Sequence, residues 1–134
     1  MATTLVDSNV LLDVATQDLK WFEWSRQALE TAGNDSTLAI NALIYAEVSI
    51  RYLTIEEVEA AIPATEFRRE ALPIEAAFAA GKAFVQYRRR GGARTSPLPD
   101  FFIGAHAAVA GFRILTRDPR RYRSYFPRVD LIAP

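Results

Sequence analysis

Apolar positions along the chain fall into short β-compatible runs and longer stretches with helical spacing. The short runs predict four strands, over residues 3–6, 37–40, 112–115 and 129–132. The longest helical stretch covers residues 74–90 and is expected to end at Gly91 and Gly92. Strands separated by helices favour right-handed crossovers and a mostly parallel sheet. The pattern therefore predicts an α/β fold.

Polar residues with short side chains are expected to cap the starts of several helices. They are Ser8 or Asn9 for a helix through residue 14, Asn41 for one through about 53, and Thr54, in a capping box with Glu57, for one through about 62. Further helices are expected over 20–31 and 99–110, and a turn or short helix over 119–125. Prolines at 63 and 73 bracket a stretch that is expected to be irregular.

Length and composition favour one domain over residues 1–134, since typical domains have roughly 100 to 200 residues. A hydrophobic fraction of 50% supplies a full core. No apolar run approaches the ~20 residues of a membrane-spanning helix, and the N-terminus lacks the features of a signal peptide. Because there is also no cysteine for a disulfide framework, we expect a cytoplasmic protein with no membrane association.

The zero net charge conceals an uneven distribution of charged residues. Residues 1–67 carry three basic and eleven acidic side chains, a net charge of −8, and residues 68–134 carry a net charge of +8. Most of the positive charge is arginine, clustered at 88–94 and 117–128. Guanidinium groups pair bidentately with phosphate, which favours a polyanionic partner. Solvated helix ends, or a surface for an acidic protein, are the alternatives.

The chain holds few side chains for catalysis other than acids. With no cysteine and only His106, it lacks the usual zinc ligands, a cysteine nucleophile and a two-histidine ribonuclease site. Four acids stand out by their position, at two strand ends, inside a helix and at a helix start: Asp7, Asp118, Glu47 and Asp100. Their oxygen chemistry favours a divalent cation.

Asp7 and Asp118 follow predicted strands directly. Ligands of open parallel sheets bind beyond the carboxyl ends of the strands, so two such acids in one small sheet are expected to converge. The alternative is an ordinary turn or cap aspartate. That alternative describes the other aspartates well enough: Asp13, Asp18, Asp35 and Asp130.

Glu47 shares a predicted helix face with Ile44, Val48 and Ile50, because each helical residue turns by ~100°. That face is expected to be buried, where a carboxylate is costly unless it is paired or bound to a cation. Pairing with Arg51 is the alternative. Glu47 is therefore a candidate for the same site as the strand-end acids.

Asp100 shares its predicted helix face with the small residues Gly104, Ala107 and Gly111. Small residues let the helix approach a neighbour, which brings the carboxylate inward. The alternative is an N-terminal acid favoured only by the helix dipole. His106 points away from Asp100 on this helix, so we expect a packing or surface histidine.

Asn9 and Thr116 place short polar side chains beside the two strand-end acids, either to hold them or to cap the chain locally. Two or three carboxylates with waters suit Mg²⁺ or Mn²⁺ far better than Zn²⁺. Such a cation lowers the pKa of a bound water and stabilises the charge that develops on a leaving oxygen. It also removes the repulsion between the acids and a phosphate, and arginines could hold the remaining phosphates.

Four segments around these acids carry a resemblance to a known family: LVDSNVLLD, YAEV, LPDFFIGAHA and LTRDPRRYRSYFP. In this order and spacing the chain resembles the PIN-domain ribonucleases, specifically the VapC toxins of bacterial toxin-antitoxin pairs, from about residue 5 to 132. The resemblance implies an α/β/α sandwich with a parallel sheet and Mg²⁺- or Mn²⁺-dependent endonucleolytic cleavage of RNA, with transfer RNA as a candidate target. It also implies a homodimer and a cognate VapB-type antitoxin that covers the active site.

Matched position by position, the resemblance implies an acidic quartet of Asp7, Glu47, Asp100 and Asp118, with Asn9 and Thr116 in support. Asp7, Asp100 and Asp118 are the expected metal ligands. Charge alone makes seven arginines candidates for contacts with RNA or antitoxin: Arg88, Arg89, Arg90, Arg94, Arg117, Arg120 and Arg121.

Two other functions compete with this interpretation. Aspartyl phosphotransfer, as in haloacid-dehalogenase-like phosphatases or receiver domains, also uses an Asp at a strand end. However, DSN lacks the second acid of a DxD pattern, and neither Lys20 nor Lys82 clearly follows a strand. A non-catalytic dimeric module that binds RNA or protein is the other competitor, and it leaves the burial of Glu47 unexplained.

Overall fold

The computed structural model describes residues 2–92 and 98–134, so Arg94 lies outside the described residues. Within them, five strands form one sheet: β1 (Thr3–Val6), β2 (Thr37–Ile40), β3 (Arg68–Arg69), β4 (Arg113–Leu115) and β5 (Leu131–Ile132). The same residues form seven helices: α1 (Ser8–Ala15), α2 (Phe22–Asp35), α3 (Ala42–Ser49), α4 (Ile55–Ala61), α5 (Ile74–Arg89), α6 (Leu98–Ala110) and α7 (Arg120–Tyr125).

The sheet is parallel throughout, in the order β3-β2-β1-β4-β5. The predicted mostly parallel sheet in an α/β/α sandwich is therefore confirmed. The chain first adds β2 and β3 on one side of β1, and then crosses over to add β4 and β5 on the other. Val6 lies beside Leu115 in this register. The carboxyl ends of β1 and β4 therefore form a topological switch point, where open α/β sheets bind their ligands.

The predicted strand bounds hold best where the apolar signal is strong. The strands over 3–6 and 37–40 have the expected limits, and those near 112–115 and 129–132 are shorter than expected. β3 was not predicted, because the stretch between the prolines was expected to be irregular. Its two residues are exposed arginines, and the chain joins β2 through backbone bonds such as Glu70 N–H to the Ile40 carbonyl, 2.8 Å. An edge strand without apolar residues leaves no periodic signal.

Helix starts follow the expected capping chemistry at two of three positions. Asn41 and Thr54 cap α3 and α4 as predicted. The cap of α1 is Asp7, however, and neither Ser8 nor Asn9, because the Asp7 carboxylate accepts the Ser8 backbone N–H. Asp7 therefore follows the last residue of β1 directly and caps α1, so both elements fix the position of its side chain.

α3 ends at Ser49, earlier than predicted. Ile50, the C-cap residue of α3, is 84% exposed, so its predicted place on a buried helix face is wrong, whereas Ile44 and Val48 are buried as expected. None of the helices in residues 2–92 and 98–134 is long and apolar enough to cross a membrane.

The core of the fold brings the start of α6 close to the carboxyl end of the sheet. Sheet residues such as Leu5 and Ile114 are fully buried in the main cluster, and a second cluster joins α5 to α6 around Phe101. Gly104 lies directly against the Phe126 ring, where a β-carbon would collide. The small residue thus permits the close packing of α6 that the sequence predicted, and Asp100 lies in the first turn of this helix.

Candidate active site

Asp7 is the most enclosed acid at the switch point. Its backbone N–H donates to the Leu115 carbonyl, 2.9 Å, and its side chain is buried. Its Oδ2 accepts the hydroxyls of Thr116, 3.0 Å, and Tyr122, 2.8 Å, and its Oδ1 accepts the Ser8 backbone N–H, 2.8 Å. A carboxylate has about four lone-pair positions, so three donors leave one of them open, on Oδ1.

The environment of Asp7 disfavours its negative charge. Burial raises the pKa of the Asp7 carboxyl to about 6, and the nearby Asp100 carboxylate adds to the effect. Bonds from Tyr122, Thr116 and Ser8 act in the opposite direction and only partly offset the burial. A cation beside Oδ1 would favour the ionised form and relieve this cost.

Thr116 links Asp7 to the loop after β4. It is fully buried, donates to Asp7, and accepts from Asn9 Nδ2, 3.2 Å, and from the Asp118 backbone N–H, 3.1 Å. Asn9 in turn accepts the Arg117 backbone N–H at Oδ1, 3.3 Å. These two residues, expected beside the acids, thus connect β1, α1 and the β4–α7 loop.

Glu47 lies on the same end of the sheet and is half-buried. Its Oε1 accepts the Ser8 hydroxyl, 3.0 Å, and it has no salt bridge to Arg51 in the described part of the chain. Burial raises the pKa of the Glu47 carboxyl, and the charges of Asp7 and Asp100 raise it further. Ser8, expected to be a helix cap, instead links two acids: its backbone N–H donates to Asp7 and its hydroxyl donates to Glu47.

Asp100 and Asp118 lie on the more open side of the site, paired with arginines. Arg121 Nη1 lies 3.2 Å from Asp100 Oδ2, and Arg120 binds both oxygens of Asp118 at 2.9 Å. These four side chains line a cavity of about 220 Å³. Burial raises the pKa of Asp100 despite Arg121, whereas the bond from Arg120 lowers the pKa of Asp118.

Three consecutive residues of α7 therefore hold three different acids. Arg120 binds Asp118, Arg121 binds Asp100, and the buried Tyr122 donates to Asp7. Tyr122 was not among the site residues predicted from the sequence, so this bond was missed. A tyrosine shortly after a strand-end acid was a signal for it, but only the fold places the hydroxyl on Asp7.

Arg117 points along α1 to a buried acid. Its Nε lies 2.8 Å from Asp13 Oδ2, which also accepts the Ser25 hydroxyl at 2.8 Å. Asp13 is only 3% exposed, so its interpretation as an ordinary turn or cap aspartate was wrong. The guanidinium also lies over the Trp21 ring, 5.7 Å from its centre. Arg117 therefore fastens the β4–α7 loop to α1.

Three other arginine candidates, Arg88, Arg89 and Arg90, form no salt bridge with the four acids in residues 2–92 and 98–134. Arg88 and Arg89 are exposed in the last turn of α5, and the exposed Arg90 follows them, with its guanidinium 5.0 Å from the centre of the Tyr125 ring. His106 is buried, with Nδ1 3.1 Å from Asn41 Nδ2, which agrees with the expected packing role. Burial lowers the pKa of its imidazole.

The four acids form one electrostatic cluster with oxygen ligands only. Asp100 raises the pKa of both Asp7 and Glu47, and Asp118 raises that of Asp100. This donor set has the chemistry that Mg²⁺ and Mn²⁺ prefer. In the described residues, no three Asp, Glu, His or Cys side chains already stand arranged to hold a metal ion. Asp118 and Asp100 instead form salt bridges with Arg120 and Arg121.

Comparison with known protein families gives one match over most of the chain. A family model described as PIN domain matches residues 4–130. No curated protein sequence is similar enough to the chain to count as a relative.

Several solved structures share the fold at low sequence identity. VapBC2 from Rickettsia felis, bound to a DNA fragment from its promoter, has a TM-score of 0.75 and 14% identity, over 98% of both chains. VapBC-1 from nontypeable Haemophilus influenzae has a TM-score of 0.74 and 12% identity, over 98% of this chain and 97% of that one. A toxin-antitoxin complex from Klebsiella pneumoniae has a TM-score of 0.66 and 21% identity, over 89% of both.

Proposed function

The chain belongs to the PIN-domain family, and we propose that it is a Mg²⁺- or Mn²⁺-dependent endoribonuclease, the toxin of a type II toxin-antitoxin pair. One observation carries the proposal: four carboxylates, each from a different segment, gather at the carboxyl end of a parallel sheet, close enough that Asp100 raises the pKa of Asp7 and Glu47 and Asp118 raises that of Asp100. Carboxylates at a phosphodiester otherwise repel it, so a bound cation gives the cluster a chemical purpose.

Asp7, Asp100 and Asp118 are the proposed ligands of the cation. Asp7 would use the lone pair left on Oδ1, because Thr116 and Tyr122 already occupy Oδ2. When bound, a divalent cation supplies a water of lowered pKa and stabilises charge on the leaving oxygen. The hydroxyls fix the direction of Asp7, so the orientation of this ligand is set before a cation arrives.

Glu47 is the proposed proton acceptor. Ser8 holds Oε1, which leaves Oε2 to take a proton from the attacking water. A raised pKa makes a carboxylate a stronger base, and burial raises that of Glu47. Asn9 and Thr116 support the site by holding the loop that carries Asp118.

The proposed substrate is RNA, with transfer RNA as a candidate target. Arg120 and Arg121 line the cavity with Asp100 and Asp118, where they could reach the phosphates next to the scissile bond. Arg117 lies in the β4–α7 loop next to Asp118, and the exposed arginines 88–90 offer a second contact region, to which Arg94 would add charge. A cognate VapB-type antitoxin would compete for these surfaces.

The proposed partners also include a second copy of the chain. Large apolar side chains are exposed on α5 and around α3 and α4, among them Phe78, 70% exposed, and Leu53, 96% exposed. The toxin-antitoxin complexes with the same fold, VapBC2 from Rickettsia felis among them, support the antitoxin partner. We place the protein in the cytoplasm, with residues 1–134 acting as one domain.

Cleavage of RNA tests the proposal directly. Purified protein, free of antitoxin, is incubated with a pool of small RNAs in Mn²⁺, in Mg²⁺ or in chelator, alongside Asp7→Asn and the matched control Asp130→Asn. Asp130 is an exposed aspartate outside the cluster. Discrete fragments that require metal and Asp7, and that persist with Asp130→Asn, are expected. Metal-independent RNA binding without cleavage in every protein would favour the non-catalytic module instead.

A further inference from the structure

α7 connects the acids of the site to its positive charge. Its residues Arg120 and Arg121 neutralise Asp118 and Asp100, and Tyr122 holds Asp7. We propose that α7 acts as a switch that couples cation binding to RNA binding: the cation takes Asp100 and Asp118 from the two arginines, which then turn to RNA phosphates. This inference rests on the proposed function, because it names how that site recruits its substrate.

The two arginine pairs lie where solvent weakens them. The side chains of Arg120 and Asp118 are 84% and 40% exposed, and those of Arg121 and Asp100 are 42% and 31% exposed. Exposed ion pairs contribute little to stability, because water screens the charges and holding long side chains costs entropy. Both pairs are therefore ready to be exchanged for a stronger partner.

A divalent cation is such a partner for these carboxylates. It carries twice the charge of a guanidinium, and in the proposed site it would bind Asp7 together with Asp100 and Asp118 once the two arginines have turned away. Each arginine, in contrast, carries a single positive charge and contacts only one acid. Once the arginine is released, its planar guanidinium can donate two hydrogen bonds to one phosphate.

Tyr122 is expected to stay in place during the exchange. Its side chain is 1% exposed, and its hydroxyl donates to Asp7 at 2.8 Å. Burial raises its pKa well above the usual value, so the hydroxyl keeps its proton. The helix is therefore anchored at Tyr122, while the two arginines just before it are free to change partners.

The exchange makes a reciprocal prediction. If cation loading frees the arginines for RNA, then RNA that holds the arginines must also strengthen cation binding by the same factor.

Removing either arginine distinguishes the switch from a fixed anchor. An arginine that competes with the cation for its acid should, when removed, leave the acid free and tighten cation binding. An arginine that only anchors the acid should, when removed, disorder this ligand and weaken cation binding. The sign of the change in cation affinity therefore separates the two roles.

The first measurement is Mn²⁺ binding without RNA, followed by the electron paramagnetic resonance signal of free Mn²⁺. We expect Arg120→Gln and Arg121→Gln each to tighten Mn²⁺ binding roughly twofold to fivefold, the range for one lost exposed ion pair. Arg123→Gln is the matched control, because Arg123 is an exposed arginine of α7 without an acid partner in the described residues. Unchanged or weaker binding in the first two variants would overturn the switch, as would equal tightening in all three.

The second measurement is binding of a fluorescein-labelled 2′-O-methyl oligouridylate, followed by fluorescence anisotropy with and without Mn²⁺. In the wild type, Mn²⁺ is expected to tighten RNA binding. In the double variant Arg120→Gln, Arg121→Gln, RNA affinity is expected to fall and the effect of Mn²⁺ to shrink. A cation that merely bridges protein and phosphate would give an effect of equal size in both proteins, and that result contradicts the switch.

These readouts do not depend on cleavage. If RNA is never cut, the proposed nuclease fails, yet tighter Mn²⁺ binding in the arginine variants would still support the exchange. If RNA is cut but Mn²⁺ binding and its effect on RNA are unchanged in the variants, the nuclease stands and the switch fails.

Discussion

On the buried side of the acidic cluster hydroxyl groups hold the carboxylates, and on the more open side guanidinium groups hold them. Asp7 and Glu47 accept bonds from Thr116, Tyr122 and Ser8, mostly in the interior. Asp100 and Asp118 pair with arginines near the surface. A neutral donor orients a carboxylate and leaves its charge uncompensated, whereas an arginine compensates the charge in a geometry that can be exchanged.

The difference appears in the pKa values of the two strand-end aspartates. Burial raises the pKa of Asp7 to about 6, while the bond from Arg120 lowers that of Asp118. The negative charge is therefore disfavoured on one strand-end aspartate and stabilised on the other. A cation would stabilise the charge of Asp7 most, whereas Arg120 already stabilises the charge of Asp118.

The largest expected effect comes from removing one acid on each side. Asp7→Asn is expected to lower the cleavage rate by roughly 10²- to 10³-fold, the loss typical of one preorganised electrostatic group. Asp118→Asn should cost less, because the Asp118 side chain is 40% exposed and solvent screens its charge. Single-turnover cleavage at saturating Mn²⁺ measures both. Equal losses would remove the distinction between the two sides.

The stability of the cation-free protein is expected to depend on pH through Asp7. Its pKa is about 6 in the folded protein and 3.8 as the ordinary value, so between these values the folded state binds more protons than the unfolded state. Stability should therefore fall as pH rises from about 4 to 6, by roughly 3 kcal/mol. Urea unfolding in chelator measures it. The Asp7→Asn variant should lack this component, and an identical pH dependence in both proteins would show that Asp7 is not the source.

A smaller effect is expected from Tyr122→Phe. The substitution removes one of two donors to Asp7 Oδ2 and leaves the ring in place, which should destabilise the protein by about 1–2 kcal/mol at neutral pH. Tyr125→Phe is the matched control, since the Tyr125 ring packs against Phe101 with centres 5.2 Å apart. Urea midpoints compare the two variants. A loss of similar size in both would mean that the bond to Asp7 is unimportant.

The smallest effect is expected at Asp13, outside the cluster. Asp13→Asn keeps an oxygen for the Ser25 hydroxyl but loses the charge that holds Arg117, at a cost of about 1 kcal/mol. Because Arg117 fastens the loop before Asp118, cleavage should fall less than tenfold, with the fold intact by circular dichroism. A loss as large as that of Asp7→Asn would place Asp13 within the catalytic machinery.

The sequence located the acids because their positions relative to strands and helices follow from local patterns. Asp7 and Asp118 stand directly after apolar runs, and parallel strands bring such ends together. The partners of these acids could not be read in the same way. Tyr122 and Asp7 are 115 residues apart, and their bond exists only because β4 lies beside β1.

Two other features were missed for related reasons. The pairing of Asp13 with Arg117 joins residues 104 positions apart, so local pattern alone made Asp13 look like an ordinary turn or cap aspartate. β3 consists of two exposed arginines held by backbone bonds, which give no hydrophobic periodicity. Local pattern predicts which residues gather at a site, and tertiary packing decides which donors hold them.

The most direct test of the central claim follows Mn²⁺ occupancy and RNA cleavage in one titration, for the wild type and for Asp7→Asn. If the acidic cluster holds the catalytic cation, cleavage by the wild type should rise in step with Mn²⁺ binding and stop when chelator removes it. The Asp7→Asn variant should bind Mn²⁺ weakly and leave the RNA intact. Cleavage that continues in chelator, or that proceeds at the wild-type rate without Asp7, would contradict the account.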